Sequence, residues 1–132
     1  MFRTFISLYR TCLEAHVPAL LALLRFYYRK RHGVNLLAAP RTEVRGLENL
    51  ATRGGVLNVG VSYVGFLLAQ DRTLLNLRGR LVTHGDVVIG RGCRLDIGPQ
   101  ATVTLGAGTY LTANTLLIIQ HGLTVGAGCA IS

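Results

Sequence analysis

LNLRGRLVTHGDVVIGRGCRLDIGPQATVTLGAGTYLTANTLLIIQHGLTVGAGCAIS, residues 75–132, decides the fold. Numbered modulo six, one column reads Leu75, Leu81, Val87, Cys93, Pro99, Leu105, Leu111, Leu117, Leu123 and Cys129. Two residues on, the next reads Leu77, Thr83, Ile89, Leu95, Ala101, Ala107, Ala113, Ile119, Val125 and Ile131. Only Thr83 and Pro99 interrupt the apolar character. The column after that holds Arg78, His84, Gly90, Asp96, Thr102, Gly108, Asn114, Gln120, Gly126 and Ser132, with no aliphatic residue.

Successive residues of a strand face opposite sides. Two apolar residues spaced by two, followed by a turn former, therefore make a short strand with one buried side and a corner after it. Three such strands close a triangular coil of 18 residues whose backbone pairs in parallel with the coils above and below. That arithmetic predicts corner stacks of Gly90, Gly108 and Gly126; of Asp96, Asn114 and Ser132; and of His84, Thr102 and Gln120. Glycine suits a corner because it adopts positive φ freely, and Asp, Asn and Ser suit one because they bond back to the backbone. An ordinary antiparallel domain would alternate too, but with irregular loops rather than an uninterrupted six.

Working outward, half of the 132 residues are hydrophobic, 16 are glycine, and mean hydropathy is +0.41. That balance suits short strands joined by tight turns. Net charge is +8, and it is uneven: residues 1–53 hold nine Lys/Arg against three Asp/Glu, residues 54–132 five against three. Nucleic acid is not an expected partner. The repeat half is nearly neutral with Tyr110 as its lone aromatic, whereas single strands need stacking platforms and a continuous basic groove.

Residues 1–33 read as an amphipathic helical segment broken near Pro18 and stopped at Gly33. On a helical wheel Arg3, Arg10, Glu14 and Arg25 fall within about 60° of one another. The apolar run Val17–Leu24 is too short to span a bilayer, and no secretory cleavage site follows. Two surfaces fit the apolar face: the protein's own sheet, or a membrane interface with Tyr27, Tyr28 and Arg29–Arg31 as anchors. Residues 34–74 read as an irregular β-rich cap or first coil, with Tyr63–Leu68 an apolar, buried-looking run.

Three cysteines, Cys12, Cys93 and Cys129, show no metal-type spacing. In an 18-residue coil Cys93 and Cys129 share an inward column two layers apart, about 10 Å, which is beyond disulfide reach. They read as core thiols of a reducing compartment.

The units IGRGCR (89–94), LDIGPQ (95–100), ANTLLI (113–118) and VGAGCA (125–130) resemble those of the hexapeptide-repeat acyltransferases. The resemblance covers about the last 58 residues well, and the first 74 weakly. It implies an all-β, left-handed parallel β-helix of about three coils after an N-terminal α-helical segment. It implies further an acyltransferase of the polysaccharide O-acetyltransferase type, with acetyl-CoA as donor, a saccharide or glycolipid as acceptor and a homotrimeric assembly. No metal is expected: His84 and His121 are two coils apart and off column, without a third ligand. Transfer in the family uses a histidine as general base toward the acceptor hydroxyl.

The family's Asp-x-His-like segment does not occur in this sequence, and His121, facing outward beside a corner, is the in-chain candidate. The expectation that follows is a fragment whose remainder carries further coils and the family histidine. The alternative is a non-catalytic β-helical scaffold or inactive product. The cytoplasm is the expected location, at the inner face of the membrane, with peripheral contact through residues 1–33.

Overall fold

Inward apolar residues at every second position organise the strands. The computed structural model describes residues 6, 19–31, 34–39, 42–60 and 72–131. Its strands are β1 (Leu36–Ala38), β2 (Thr42–Arg45), β3 (Leu50–Arg53), β4 (Leu57–Val59), β5 (Thr73–Leu77), β6 (Arg80–His84), β7 (Val87–Ile89), β8 (Arg94–Ile97), β9 (Thr102–Leu105), β10 (Tyr110–Leu111), β11 (Leu116–Ile119), β12 (Gly122–Val125) and β13 (Ala130–Ile131). They form three parallel sheets in the orders β1-β4-β7-β10-β13, β2-β5-β8-β11 and β3-β6-β9-β12. The chain visits the first, second and third sheets in turn. This is a left-handed parallel β-helix, and the strands from β5 onward make its three regular coils. Residues 34–60 contribute β1–β4 to the same sheets.

From Leu75 to Ile131 every member of the hydrophobic core carries an odd number, among them Leu75, Leu81, Ile89, Leu95, Val103 and Leu111. That parity, rather than a strict six, is the invariant. The expected 18-residue stack is corrected by the strand register: Leu74 lies opposite Arg94, twenty on, whereas Arg94 lies opposite Leu116, twenty-two on. The corners supply the extra residues. Most take four, such as Gly106–Thr109 and Thr112–Thr115, between strands of two to four.

The even spacing kept the two modulo-six columns apolar, but the stacks they predicted do not form. Gly106 pairs in line with Gly126 instead, Gln120 with Gly98, and Thr102 with Arg80 and Gly122. Nor are Cys93 and Cys129 in one column. Cys93 sits in line with Thr115, before β8, and Cys129 in line with Thr109, before β13. They are at different corners, both free, Cys93 buried and Cys129 half-buried.

Left-handed backbone marks the turns where a side chain is hardest to place. Gly92 (φ 83) is followed one coil later by Asn114 (φ 63) at the equivalent corner. Asn is the residue besides glycine that tolerates this region best.

The helix α1 spans Ala19–Arg31 among the described residues. It packs on the outside of β1, where Leu37, alternating out between inward Leu36 and Ala38, is fully buried along with Leu23 and Phe26. Burying side chains of this size is worth about 2 kcal/mol each, so one face of the helix is committed to the protein. Apart from the helical Ile6, the expectation for residues 1–18 lies outside the described residues, as does the Tyr63–Leu68 run. Among the described residues no helix is long and apolar enough to cross a membrane.

Candidate functional site

Where a β-helix turns a corner, side chains that point outward are free of the inward packing, and chemistry has room. The corner between the second and third sheets is built from Arg78–Gly79, Gly98–Ala101 and Gln120–His121 in successive coils. The first and last take two residues and the middle one takes four. This difference accounts for the unequal coils. Pairs that bracket Gly98–Ala101, such as Arg80 with Thr102, are twenty-two apart, and pairs that bracket a two-residue corner, such as Thr102 with Gly122, are twenty apart. Pro99-Gln100 is thus a two-residue insertion, and both residues are exposed.

The insertion makes a ledge. Beside it lies an open depression of about 340 Å³ lined by Arg78, Gly98, Pro99, Gln100 and Gln120. Its charged wall is held in place: Arg78 Nη2 donates to Asp96 Oδ2 at 3.1 Å and Arg78 Nε to Oδ1 at 3.3 Å. Asn76 Nδ2 adds a third bond to Asp96 Oδ1 at 3.0 Å. Such a two-pronged pairing fixes the guanidinium plane while cancelling most of its charge, and at half exposure it stabilises the fold by less than about 1 kcal/mol. The depression therefore offers amide and guanidinium hydrogen bonds rather than a strong field.

His121, the candidate from sequence, follows Gln120 on this corner and is exposed. Among the described residues it makes no hydrogen bond, and no carboxylate orients its ring. His84, also exposed, ends β6 at the opposite side of the third sheet, in line with Arg53. The two histidines thus occupy different corners. Among the described residues no group of three or more His, Cys, Asp or Glu is placed to hold a metal.

Sequence reasoning missed Arg78, Asp96 and Gln100 as parts of one wall. Asp96 faces outward from within β8 rather than occupying a corner. The available signal was Pro99, which breaks an otherwise apolar column where the insertion falls.

A second polar cluster lies at the corner between the first and second sheets. Cys93 Sγ donates to the Thr112 carbonyl at 3.0 Å, and Thr115 Oγ1 donates to that same carbonyl at 2.8 Å. Burial pushes the Cys93 thiol above its ordinary pKa, more than its hydrogen bonds at Thr115 pull it back. A thiol in that state is a poor nucleophile. The buried Arg91 donates from Nε to the Gly60 carbonyl at 3.0 Å, tying the residue after β4 to this corner. The cluster is structural.

Comparison with known proteins finds distant relatives. The chain is 27% identical over 111 residues to an uncharacterized 24.8 kDa protein in the cps region of Klebsiella pneumoniae, covering 83% of this chain and 48% of that one. It is 29% identical over 75 residues to UDP-3-O-acylglucosamine N-acyltransferase of Rhodopseudomonas palustris strain TIE-1, covering 57% of this chain and 20% of that enzyme. The same enzyme of strain ATCC BAA-98 / CGA009 matches equally. The chain therefore spans about half the length of the first relative and a fifth of the second. No family model matches it, and no solved structure does.

Proposed function

We propose that this chain is the β-helical part of an acyltransferase that moves an acetyl group from acetyl-CoA to a hydroxyl of a saccharide in a surface polysaccharide or glycolipid. The observation that carries the reading is the three-sheeted β-helix in a chain similar to a named acyltransferase. The ledge at Pro99-Gln100 supports placing the site at the second corner.

In the proposed reaction an imidazole nitrogen of His121 takes the proton of the acceptor hydroxyl. The oxygen attacks the thioester carbonyl, the new ester C–O bond forms and the C–S bond breaks. Coenzyme A leaves as the thiol, taking the proton back from the imidazolium. Gln100, Gln120 and Arg78 would hold polar groups of either substrate. A homotrimer is proposed as the working assembly. Leu116 and Ile118, 63% and 62% exposed on the outer side of β11 next to this corner, are suitable contacts for a second copy.

A non-catalytic scaffold is the second reading, favoured by the unoriented ring of His121. Acetyl transfer to a panel of saccharides and glycolipids, followed by mass spectrometry, decides between them. Acetylated product from the 132-residue chain supports the enzyme, and His121→Ala should then lose about 10²–10⁴-fold in turnover with acetyl-CoA affinity unchanged. A chain that neither binds acetyl-CoA by calorimetry nor acetylates any acceptor in the panel is the scaffold. Transfer to an amino sugar but to no hydroxyl would replace O- by N-acylation.

A further inference from the structure

The helix that packs on β1 has a second face, and its composition is unusual for solvent. Leu23 and Phe26 are buried, Phe26 to 1% exposure, whereas Leu24 and Tyr28 are 62% and 69% exposed. At about 100° per residue, Arg31, Leu24 and Tyr28 lie within about 60° of one another on the outer side, with Arg25 about 60° further round. Arg25 and Arg31 are exposed too. Residues 19–31 contain no Asp or Glu, and the neighbouring turn Leu47–Asn49 adds one acid, Glu48. An open depression of about 380 Å³ runs along this face, lined by Leu24, Arg25, Tyr28, Arg29 and Leu47.

Within it stand two arginines four residues apart, and among the described residues no acid pairs with either. The Arg29 guanidinium is pushed below its ordinary pKa by burial and then by the charge of Arg25, and its Nη1 is buried without a hydrogen-bond partner. A large aliphatic group and a phenol flanked by guanidinium groups match one kind of surface. Apolar side chains and the phenol ring enter the acyl boundary, while arginines reach phosphate oxygens at headgroup depth.

We propose that the outer face of α1, through Leu24, Arg25, Tyr28 and Arg31, docks the protein on an anionic phospholipid bilayer, the helix lying in the plane of the interface with the β-helix standing off it. The docking is peripheral: among the described residues no helix is long and apolar enough to cross the hydrocarbon core. The proposal is independent of the acyltransferase reading, because it uses no residue of the ledge.

Flotation of the full 132-residue chain with vesicles tests it. The chain should float with phosphatidylcholine vesicles containing 30% phosphatidylglycerol, and stay behind with phosphatidylcholine alone. Each arginine near such a surface contributes about fivefold to partitioning, so Arg25→Gln with Arg31→Gln should lower it about 25-fold. Leu24→Ser with Tyr28→Ser should release the protein at unchanged net charge. All four positions are exposed, and an unaltered circular dichroism spectrum and melting temperature confirm that each variant folds. Absence of flotation with anionic vesicles overturns the proposal, as does flotation that neither double variant weakens. So does release by 10 mM inorganic phosphate at constant ionic strength, which would mean a site for a single anion rather than a membrane face.

Discussion

Gly106 and Gly126 occupy the same corner in successive coils, in line with one another, and neither has positive φ. They nevertheless differ in what a side chain would meet. A Cβ on Gly106 would stand 2.6 Å from the Ala127 nitrogen and 2.6 Å from the Gly126 carbonyl carbon, whereas a Cβ on Gly126 meets nothing within 4 Å. Ordinary contact begins near 3.4 Å, so in Gly106→Ala the two coils must part locally by about 0.8 Å. The obstacle is backbone, which cannot rotate aside. The ladder bond from the Gly106 amide to the Val125 carbonyl, 2.9 Å, would stretch out of range. Losing it costs about 1 kcal/mol, and overpacking strain adds about 1–3 kcal/mol. The stiffer unfolded chain offsets about 0.4–1 kcal/mol of that. The net expectation is a loss of about 2 kcal/mol, or a fall of about 8 °C in melting temperature for a chain of this size. Gly126→Ala keeps only the unfolded-state term and should gain about 0.4–1 kcal/mol, raising Tm by about 2–4 °C. Thermal and urea unfolding of the two variants, followed by circular dichroism, measure both. Melting of Gly106→Ala within 2 °C of the parent, or shifts of the same sign in both variants, would refute the idea that glycine is needed here for coil-to-coil approach.

Thr83 points into the core with its Oγ1 buried and unpartnered. An unsatisfied buried hydroxyl costs about 1–3 kcal/mol, so Thr83→Val should stabilise the chain by about 1 kcal/mol in urea, and a loss would mean that the hydroxyl is used. Burial raises the Cys93 thiol, which has two readouts. In a Cys12→Ala background Cys129 should react with a thiol reagent first and Cys93 only on unfolding. As pH rises past the ordinary thiol pKa of about 8.5, the unfolded state loses the proton while the folded state keeps it, so stability falls, and the fall should be shallower in Cys93→Ala. Deleting Pro99-Gln100 should leave the melt within about 1 kcal/mol of the parent, since exposed loop tips tolerate length changes. If the ledge forms the donor site, acetyl-CoA binding in calorimetry should fall at least tenfold in that deletion, and unchanged affinity would move the site elsewhere.

The fold was legible because a prism core leaves its mark at every second residue. Leu75, Leu95 and Leu117 stack across three coils of the second sheet. Any one of them turned outward would have broken the apolar column visible in the sequence. What the columns could not reveal was coil length. Spacings of 18, 20 and 22 all keep inward residues on odd numbers, so hydrophobicity alone does not distinguish them, and the three corner stacks drawn from 18 were wrong. Upstream, the inward set changes from even numbers at Leu36, Ala38 and Leu50 to odd numbers at Leu57 and Val59. The change falls at the Gly54-Gly55 corner, and residues 60–72, which no hexad describes, separate β4 from β5 in the sequence. Four short strands behind one parity change and a long stretch outside the hexads therefore read as an irregular β-rich cap or first coil.

Function was less legible for the same physical reason. Core positions are constrained by their neighbours above and below, whereas Arg78, Asp96, Gln100 and His121 lie outside that packing, where any soluble side chain satisfies the fold. Periodicity therefore carries no information about them. The exception is an interruption. Pro99 could not serve as an inward ladder residue without losing a backbone donor, so its presence in an apolar column meant that the chain was not in the column there. Two residues had been added, the corner pushed outward, and a depression opened beside His121's corner. In regular coils that otherwise keep one register, the two residues added at Pro99-Gln100 are the feature that packing does not require, and that is why the proposed site is placed at the ledge rather than in the core.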